Sequence, residues 1–156
     1  MTTGRTLSNE RIEFLIRDFS RGFIAYCGFV ADDLSWGTFQ SSLTLRPEHR
    51  QQDGFVHAGV MAAMADHTAG YAGFTTIPDT HQILTIEFKI NFLRPAGGEQ
   101  LLCRSRILRP GRQVLVAESE VFDQTGGEEK MAAKAQLTLM AVPWESLRIR
   151  AFSDNT

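Results

Sequence analysis

The chain contains few cysteines, little net charge and no long hydrophobic run. Two cysteines, Cys27 and Cys103, occur among 156 residues, which is too few for a disulfide framework and gives no metal-ligand spacing. The formal net charge of −2 argues against a general nucleic-acid binder or membrane-surface binder. No apolar run approaches the roughly 20 residues that a membrane helix needs. The two cysteines are best read as free thiols, so we expect a reduced, cytoplasmic location. Because the N-terminal segment lacks a basic flank followed by an apolar stretch, we expect no signal peptide.

Length and composition predict one globular domain. Hydrophobic residues make up 43% of the chain, as is typical of a globular protein with a real core. No internal repeat, linker or low-complexity segment divides the sequence. The expected organisation is a single domain over residues 1–156, with an N-terminal helix at about 8–26 and a core at about 34–142.

The order of helical and strand patterns predicts an α+β fold. An apolar stripe at helical spacing predicts a first helix from about Asn9 to Ala25. A strand is predicted from about Ser35 to Arg46, where Pro47 ends it. Residues 56–74 are apolar or small nearly all round and predict a long buried helix, and four strands separated by glycine turns follow it. One antiparallel β-sheet wrapped around one buried helix would hide the apolar faces of both layers.

The segment from His81 to Leu93 alternates between apolar and polar residues, which predicts a half-buried strand. Simple alternation places Thr85 on the polar face, away from the helix that the sheet covers. Thr85 would then reach a site on its own helix only at a bulge, or reach one across a dimer. The residues predicted to share the apolar face are Leu84, Ile86, Phe88, Ile90 and Phe92.

Asp66 is the residue of the long apolar helix that most needs an explanation. Burying a carboxylate is costly unless it is paired, protonated or used. An acid in an apolar wall is therefore a candidate general acid, general base or nucleophile. The adjacent His67 points about 100° away around the helix, and we interpret it as a packing or interface histidine.

The predicted start of this helix, at His57, Ala58 and Gly59, is a second candidate site. Free backbone N–H groups and the positive end of the helix dipole can hold an oxygen that becomes negative during acyl transfer. Ala58 and Asp66 would lie roughly 12 Å apart along the helix, whereas both would need to be within about 3 Å of one reacting carbonyl. Either the site uses one of them, or a symmetric dimer forms the site at its interface.

Two motifs in this order resemble the hotdog-fold acyl-CoA thioesterases, most closely the phenylacetate-pathway type. The resemblance covers about Trp36 to Val142. The motifs are Gln51-x-x-Gly54-x-Val56-His57-Ala58-Gly59-Val60 and Ala65-Asp66-His67-Thr68-Ala69, followed by a strand that ends in Leu93-Arg94-Pro95-Ala96. The first motif reads His-Ala-Gly where the family has His-Gly-Gly.

The resemblance implies a thioester hydrolase of hotdog fold and assigns its catalytic roles. Asp66 would be the general base or the nucleophile, and the backbone N–H of Ala58 would hold the thioester oxygen. The side-chain amide of Gln51 would assist Ala58, and Thr85 would orient the water.

The resemblance also implies how the substrate is bound. The substrate would be an acyl-CoA, with no cofactor and no metal, and the chain would form a homodimer or a homotetramer built as a dimer of dimers. His57 would be structural at the helix start, where it and Gly59 border the bound substrate. Among the basic residues near turns, Arg94 and Arg112 are the candidates to hold the phosphates of coenzyme A.

Other functions remain open on the sequence alone. A hotdog enoyl-CoA hydratase or dehydratase would need His57 as its acid or base, and a non-catalytic acyl-CoA-binding module would have lost hydrolysis. A metal site from His57, His67 and His81 has no recognisable ligand spacing, and no serine or cysteine hydrolase motif occurs. The acyl group is not determined. Its pocket, or simply the core, would be formed by Phe55, Met61, Met64, Tyr71 and Phe74.

Overall fold

The computed structural model describes residues 5–147, so the ends of the expected domain, residues 1–4 and 148–156, lie outside the described residues. Short 3-10 helices occur at Pro47–His49 and Trp144–Leu147. No helix in the described part is long and apolar enough to cross a membrane. In chain order the main elements are α1 (Asn9–Phe19), α2 (Phe23–Cys27), β1 (Val30–Ser35), β2 (Thr38–Thr44), α3 (Ala58–Phe74), β3 (His81–Phe92), β4 (Gln100–Arg109), β5 (Val114–Thr125) and β6 (Glu128–Pro143).

The six strands form one antiparallel sheet in the order β1-β2-β4-β5-β6-β3. The long helix α3 packs against β2, β3, β4, β5 and β6. This arrangement confirms the predicted hotdog fold, in which a sheet wraps around a long helix. The strands β1 and β3 are the two edges of the sheet, and β3 therefore offers one side of its backbone for pairing with another strand.

The predicted first helix is divided in two. Ser8 caps α1 by accepting a hydrogen bond from the Arg11 N–H at 3.2 Å, but α1 ends at Phe19 rather than near Ala25. The chain turns at Gly22, whose φ of +56° is available to glycine at little cost. The prediction of one continuous helix was wrong because its apolar spacing continues across this turn into α2.

The predicted strand from Ser35 to Arg46 is the second arm of a hairpin. Its first arm, β1, was missed in the sequence. β1 carries Asp32 and Asp33, which weaken any strand pattern but are well tolerated on an exposed sheet edge. Gly37, at φ +79°, forms the turn to β2. β2 ends at Thr44, three residues before Pro47.

Hydrogen bonds from buried hydroxyl groups connect α3 to the sheet. Ser119 donates to the carbonyl of Ala65 at 2.7 Å. Thr68 donates to the carbonyl of Met64 at 2.7 Å and also bonds to Ser41 at 2.7 Å. Ser41, Thr68 and Ser119 are all buried, so each of these bonds satisfies a polar group that would be costly to leave unpaired. The apolar helix is thus fixed to β2 and β5 by directional bonds as well as by packing.

The alternation predicted for β3 is interrupted by a bulge. Thr85 lies opposite Leu139 and Phe88 lies opposite Leu137, with Ile86 as the extra residue between them. Directly opposite residues share a face of the sheet, and a one-residue insertion exchanges the faces of all residues on one side of it. Thr85 and Phe88 are therefore both on the face toward α3, and the prediction that Leu84 and Phe88 share a face was wrong.

β3 also differs from the predicted half-buried strand in its exposure. Leu84, Ile86, Phe88 and Phe92 are exposed in the single chain, Ile86 by 54%. A twelve-residue edge strand with such an apolar surface is a ready template for pairing with another chain.

Candidate active site

Asp66 and Thr85 are joined by a hydrogen bond between the helix and the edge strand. Thr85 Oγ1 donates to Asp66 Oδ1 at 2.7 Å. The bulge after Thr85 makes this contact possible, because it places the threonine on the face toward α3. No further donor bonds to the Asp66 carboxylate within residues 5–147. Its second oxygen is thus available to a substrate or to water.

The surroundings of Asp66 differ from the sealed apolar wall expected from the sequence. The side chain is half-buried and lies at an open pocket of about 300 Å³. The pocket lies between α1, α3 and the beginning of β3. It is lined by Asp18, Asp66, His67, Gly70, Tyr71, Phe74, Gln82, Ile83 and Thr85. We call it the Asp66 pocket.

The helix α1 forms one wall of the Asp66 pocket, and no pattern in the sequence predicts this contact. The Tyr71 hydroxyl donates to Asp18 Oδ2 at 2.8 Å, and Asp18 Oδ1 pairs with Arg21 at 3.0 Å. Burial, together with the Asp18 carboxylate, raises the pKa of Tyr71, so its hydroxyl stays protonated. In the sequence, Asp18 has the pattern of an ordinary polar residue of an amphipathic helix. Only its contact with Tyr71 in the folded chain identifies it as part of the pocket.

His67 packs against α1 as well. Its Nε2 lies 3.0 Å from the carbonyl of Phe19, and its ring centroid lies 4.5 Å from that of Phe19. Burial lowers the pKa of His67, although the Phe19 carbonyl and the neighbouring carboxylates partly oppose this shift. A neutral His67 therefore donates to Phe19, in agreement with its interpretation as a packing histidine.

A second pocket, of about 470 Å³, contains the other predicted catalytic groups. Gln51 Oε1 accepts a hydrogen bond from the Asp53 N–H at 2.8 Å, which leaves the side-chain NH₂ group as a free donor. Within the described part of the chain, no acceptor is bonded to the Ala58 N–H. We call this the Ala58 pocket. It is lined by Gln51, Phe55, Val56, Ala58, Met61, Phe92, Leu93, Arg94 and Pro95.

His57 and Gly59 are engaged with each other at the start of α3. His57 caps the helix, and its Nδ1 accepts from the Gly59 N–H at 2.9 Å. Neither residue lines the Ala58 pocket. This contact accounts for His57 as a structural residue and occupies the backbone donor of Gly59.

His49 helps to fix the start of α3, and sequence reasoning missed it. It is buried, its Nδ1 accepts from the Arg46 N–H at 3.0 Å, and its Nε2 lies 2.8 Å from the carbonyl of Cys27. The His49 carbonyl accepts from the His57 N–H at 2.9 Å. No motif in the sequence points to this role, which depends on the distant contact with Cys27.

The two pockets lie at opposite ends of β3. The Asp66 pocket includes Gln82, Ile83 and Thr85, and the Ala58 pocket includes residues 92–95. Within one chain, the structure brings Asp66 together with Thr85, and Gln51 together with Ala58 and Arg94, but it does not unite the two groups.

The remaining predicted residues are distributed among the pockets, the core and the surface. Arg112 is exposed in the β4–β5 turn and lines neither pocket. Of the residues considered for an acyl pocket, Tyr71 and Phe74 line the Asp66 pocket, Phe55 and Met61 line the Ala58 pocket, and Met64 is in the core. Within residues 5–147, no group of three or more histidine, cysteine or acidic side chains is arranged to hold a metal.

Comparisons with known proteins agree with this architecture. Residues 53–130 match the model of the Thioesterase superfamily. A relative from Saccharolobus solfataricus is 32% identical over 103 residues, which cover 66% of this chain and 71% of that protein. The medium/long-chain acyl-CoA thioesterase of Escherichia coli K12 is 29% identical over 98 residues, which cover 54% of this chain and 61% of that protein. The crystal structure of a thioesterase family protein from Silicibacter pomeroyi superposes with a TM-score of 0.80 at 34% identity, and the match covers 84% of this chain and 98% of that one.

An antiparallel sheet wrapped around a long helix defines the hotdog fold. The chain belongs to the thioesterase superfamily and is a thioester hydrolase. The narrower resemblance to the phenylacetate-pathway type stays a prediction.

Proposed function

We propose that the protein hydrolyses acyl-CoA thioesters to a free acid and coenzyme A, and that Asp66 acts on the thioester carbonyl. The observation that carries this proposal is the 2.7 Å hydrogen bond from Thr85 to Asp66 at an open pocket. A carboxylate that is oriented by one donor and accessible at its other oxygen can serve as a general base or as a nucleophile. The acyl-CoA thioesterase among its relatives supports this class of substrate.

Two routes are compatible with this geometry. In the first, Asp66 accepts a proton from water while the water oxygen attacks the carbonyl carbon. In the second, an Asp66 oxygen attacks the carbonyl and forms a mixed anhydride, which water then hydrolyses. In both routes the C–S bond breaks and the coenzyme A thiolate leaves, so no cofactor is needed. Thr85 orients the attacking group through Asp66.

The oxyanion would be held by the Ala58 N–H and the Gln51 amide of a second subunit. Asp66 and Ala58 are eight residues apart on α3, roughly 12 Å, and they face different pockets. Antiparallel pairing of β3 with its copy near the middle of the strand would bring the Thr85 end of one chain to the Phe92 end of the partner subunit. Since these positions are roughly 23 Å apart along one strand, the Asp66 pocket of one chain would meet the Ala58 pocket of the other.

The exposed apolar side chains of β3 support this mode of assembly, because pairing would cover them and satisfy the free backbone groups of the edge. The resulting homodimer, or a homotetramer of two such dimers, would contain two equivalent sites. Arg94 borders the Ala58 pocket and is the first candidate to bind the phosphates of coenzyme A. Arg112 lies at the same end of the sheet as Leu84, because Val114 pairs with Met140 and Met140 pairs with Leu84. In the dimer, Arg112 would therefore be on the side of the Asp66 pocket.

Thiol release from a panel of acyl-CoA esters tests the proposal. Asp66→Asn should lower kcat/KM by about 10²–10⁴-fold for any ester that is hydrolysed, since this is the usual contribution of a general base. Asp33→Asn is a matched control, because Asp33 is exposed on β1 and lines neither pocket. A well-folded Asp66→Asn variant with the wild-type rate would exclude the proposed role of Asp66.

The same assay separates the alternative functions. A hydratase would convert an enoyl-CoA without releasing thiol, and a binding module would bind acyl-CoA tightly without turnover. The hydratase would require His57 as its acid or base, whereas the Nδ1 atom of His57 accepts a hydrogen bond from the Gly59 N–H in the cap of α3.

A further inference from the structure

We propose that Asp18 on α1, together with Tyr71, is a specificity determinant of the site that favours uncharged acyl groups with a hydrogen-bond donor at their far end and rejects acyl groups that end in a carboxylate. This inference rests on the proposed function, in which Asp66 acts on the thioester carbonyl as a general base or as a nucleophile.

The charges of the two pockets determine which part of the substrate enters each. The lining of the Asp66 pocket contains two carboxylates, Asp18 and Asp66, and no lysine or arginine. The phosphates of coenzyme A would be repelled there, since like charges that face each other without water are costly. The Ala58 pocket includes Arg94. The acyl group therefore occupies the Asp66 pocket, while coenzyme A extends away through the Ala58 pocket of the partner subunit.

The pocket has room for an acyl chain beside α3. Gly70 lies one helical turn after Asp66 on the same face of the helix. A methyl group built at Gly70 would meet no neighbouring atom nearer than 3.9 Å, and that atom belongs to Ile83. The space next to Gly70 is thus open, and the chain can pass from Asp66 toward Tyr71, which is about 7.5 Å further along the helix axis.

Asp18 and Tyr71 form the polar wall that such a chain would approach. The Asp18 carboxylate accepts from Tyr71 through Oδ2 and from Arg21 through Oδ1, and an ionised carboxylate has about four acceptor positions. Asp18 can therefore accept a further hydrogen bond from a hydroxyl group of the substrate. Arg21, whose side chain is 76% exposed, pairs with Asp18, and Arg11 donates to the carbonyl of Phe74 at 3.0 Å, but neither arginine lines the pocket. A second carboxylate on the substrate would meet the two carboxylates that line the pocket, Asp18 and Asp66, and no cation among the lining residues.

Three esters of equal chain length test the selection: hexanoyl-CoA, 6-hydroxyhexanoyl-CoA and adipoyl-CoA. For the wild-type protein we expect 6-hydroxyhexanoyl-CoA to exceed hexanoyl-CoA in kcat/KM by roughly two- to tenfold, the effect of one net hydrogen bond. We expect adipoyl-CoA to fall below hexanoyl-CoA by about tenfold or more. Because this order is measured on the wild-type protein, it tests the proposal even if a variant does not fold.

The variant Asp18→Asn tests whether Asp18 causes the discrimination against adipoyl-CoA. It keeps an oxygen that can accept from Tyr71 but removes the charge, so the ratio of adipoyl-CoA to hexanoyl-CoA hydrolysis should rise about tenfold. Glu13→Gln is the matched control. It removes one negative charge from the same helix, but Glu13 is exposed and lines no part of the pocket, so the ratio should not change.

A second variant tests the path of the acyl chain independently. Gly70→Ala should fold, since the new methyl has space and alanine favours the helix. It should shift the preference from hexanoyl-CoA toward butanoyl-CoA by narrowing the pocket.

The outcomes separate this inference from the proposed function. Suppose that hydrolysis depends on Asp66, but that adipoyl-CoA reacts as fast as hexanoyl-CoA, or that Asp18→Asn leaves the ratio of adipoyl-CoA to hexanoyl-CoA hydrolysis unchanged. The role proposed for Asp18 is then wrong, and the proposed function stands. If no ester releases thiol, or Asp66→Asn keeps full activity, the proposed function fails and the inference fails with it.

Discussion

The hydroxyl of Thr85 donates to the carboxylate of Asp66 at 2.7 Å, and the two residues lie on different elements, the edge strand and the central helix. We predict that Thr85→Val, which replaces the hydroxyl by a methyl group of similar size, lowers kcat by about ten- to hundredfold. Hydrogen bonds to charged groups contribute about 1.5–3 kcal/mol, and a carboxylate without its donor is less well oriented. Steady-state kinetics with the best acyl-CoA ester measures the effect.

Thr85→Ser is the control for this substitution, because serine keeps the donor. It should retain most of the wild-type activity. A loss of activity in the serine variant with full activity in the valine variant would show that the methyl group of Thr85, rather than its hydroxyl, is what the site requires.

Gln51 should affect turnover more than binding. If its NH₂ group stabilises the oxyanion, Gln51→Ala should reduce kcat with little change in KM, by at most about 2–4 kcal/mol of transition-state stabilisation. Separate determination of kcat and KM distinguishes this from a role in binding. A variant with a raised KM and an unchanged kcat would show that Gln51 binds the substrate in its ground state and does not stabilise the oxyanion.

Two inactive variants should complement each other if each site combines two subunits. We predict that Asp66→Asn and Ala58→Trp are each inactive, the second because a bulky side chain blocks the oxyanion site. After subunit exchange, a hybrid dimer would contain one site with both intact halves and one site with neither. Thiol release should then recover part of the wild-type rate. A mixture that stays inactive although hybrids are detected by mass spectrometry would contradict the shared site.

The edge strand β3 should be needed for assembly. Ile86→Lys places a charge on its exposed apolar surface. We expect this variant to be a monomer by light scattering and to be inactive in the thiol-release assay. Tyr26→Lys is a matched control, since Tyr26 is 82% exposed on α2, away from β3. Loss of the dimer in both variants would indicate a different interface, and an active Ile86→Lys monomer would exclude a site shared across β3.

The half-buried His67 should make folding sensitive to mild acid. Because burial lowers its pKa below the value of 6.5 in an unfolded chain, the folded state favours the neutral ring. The stability that this preference contributes is present above pH 6.5 and is lost as the pH falls through the folded pKa, at no more than about 1.4 kcal/mol per pH unit. His67→Gln should show a flatter dependence of unfolding free energy between pH 7 and pH 5. An identical slope in both proteins would remove His67 as the cause.

Much of the fold could be predicted from periodicity. The long apolar helix and the alternating strands after it are specified by local pattern, and the structure confirms them. The break at Gly22 and the strand β1 escaped detection. A glycine inside an apolar stripe does not by itself predict a turn. The two aspartates of β1 interrupt its strand pattern, and the strand is stable because it pairs with β2.

The candidate site was predictable only in part. Asp66 is conspicuous because it interrupts an apolar helix, and the start of α3 can be found from its motif. The contact between Thr85 and Asp66 depends on a bulge, and a bulge leaves no mark in an alternating sequence. Asp18 and His49 act through partners 53 and 22 residues away in the chain, so their positions follow from tertiary structure alone.

The buried hydroxyls of Ser41 and Ser119 bear on how accurately Asp66 is placed. A helix surfaced with alanine and glycine has shallow ridges, so packing alone offers weak resistance to axial sliding. A slip by one residue would move the helix by about 1.5 Å and would break the bonds at Thr68 and at the Ala65 carbonyl together. These bonds therefore determine the axial position of α3, and with it the distance from Asp66 to Thr85, although neither serine lines the Asp66 pocket.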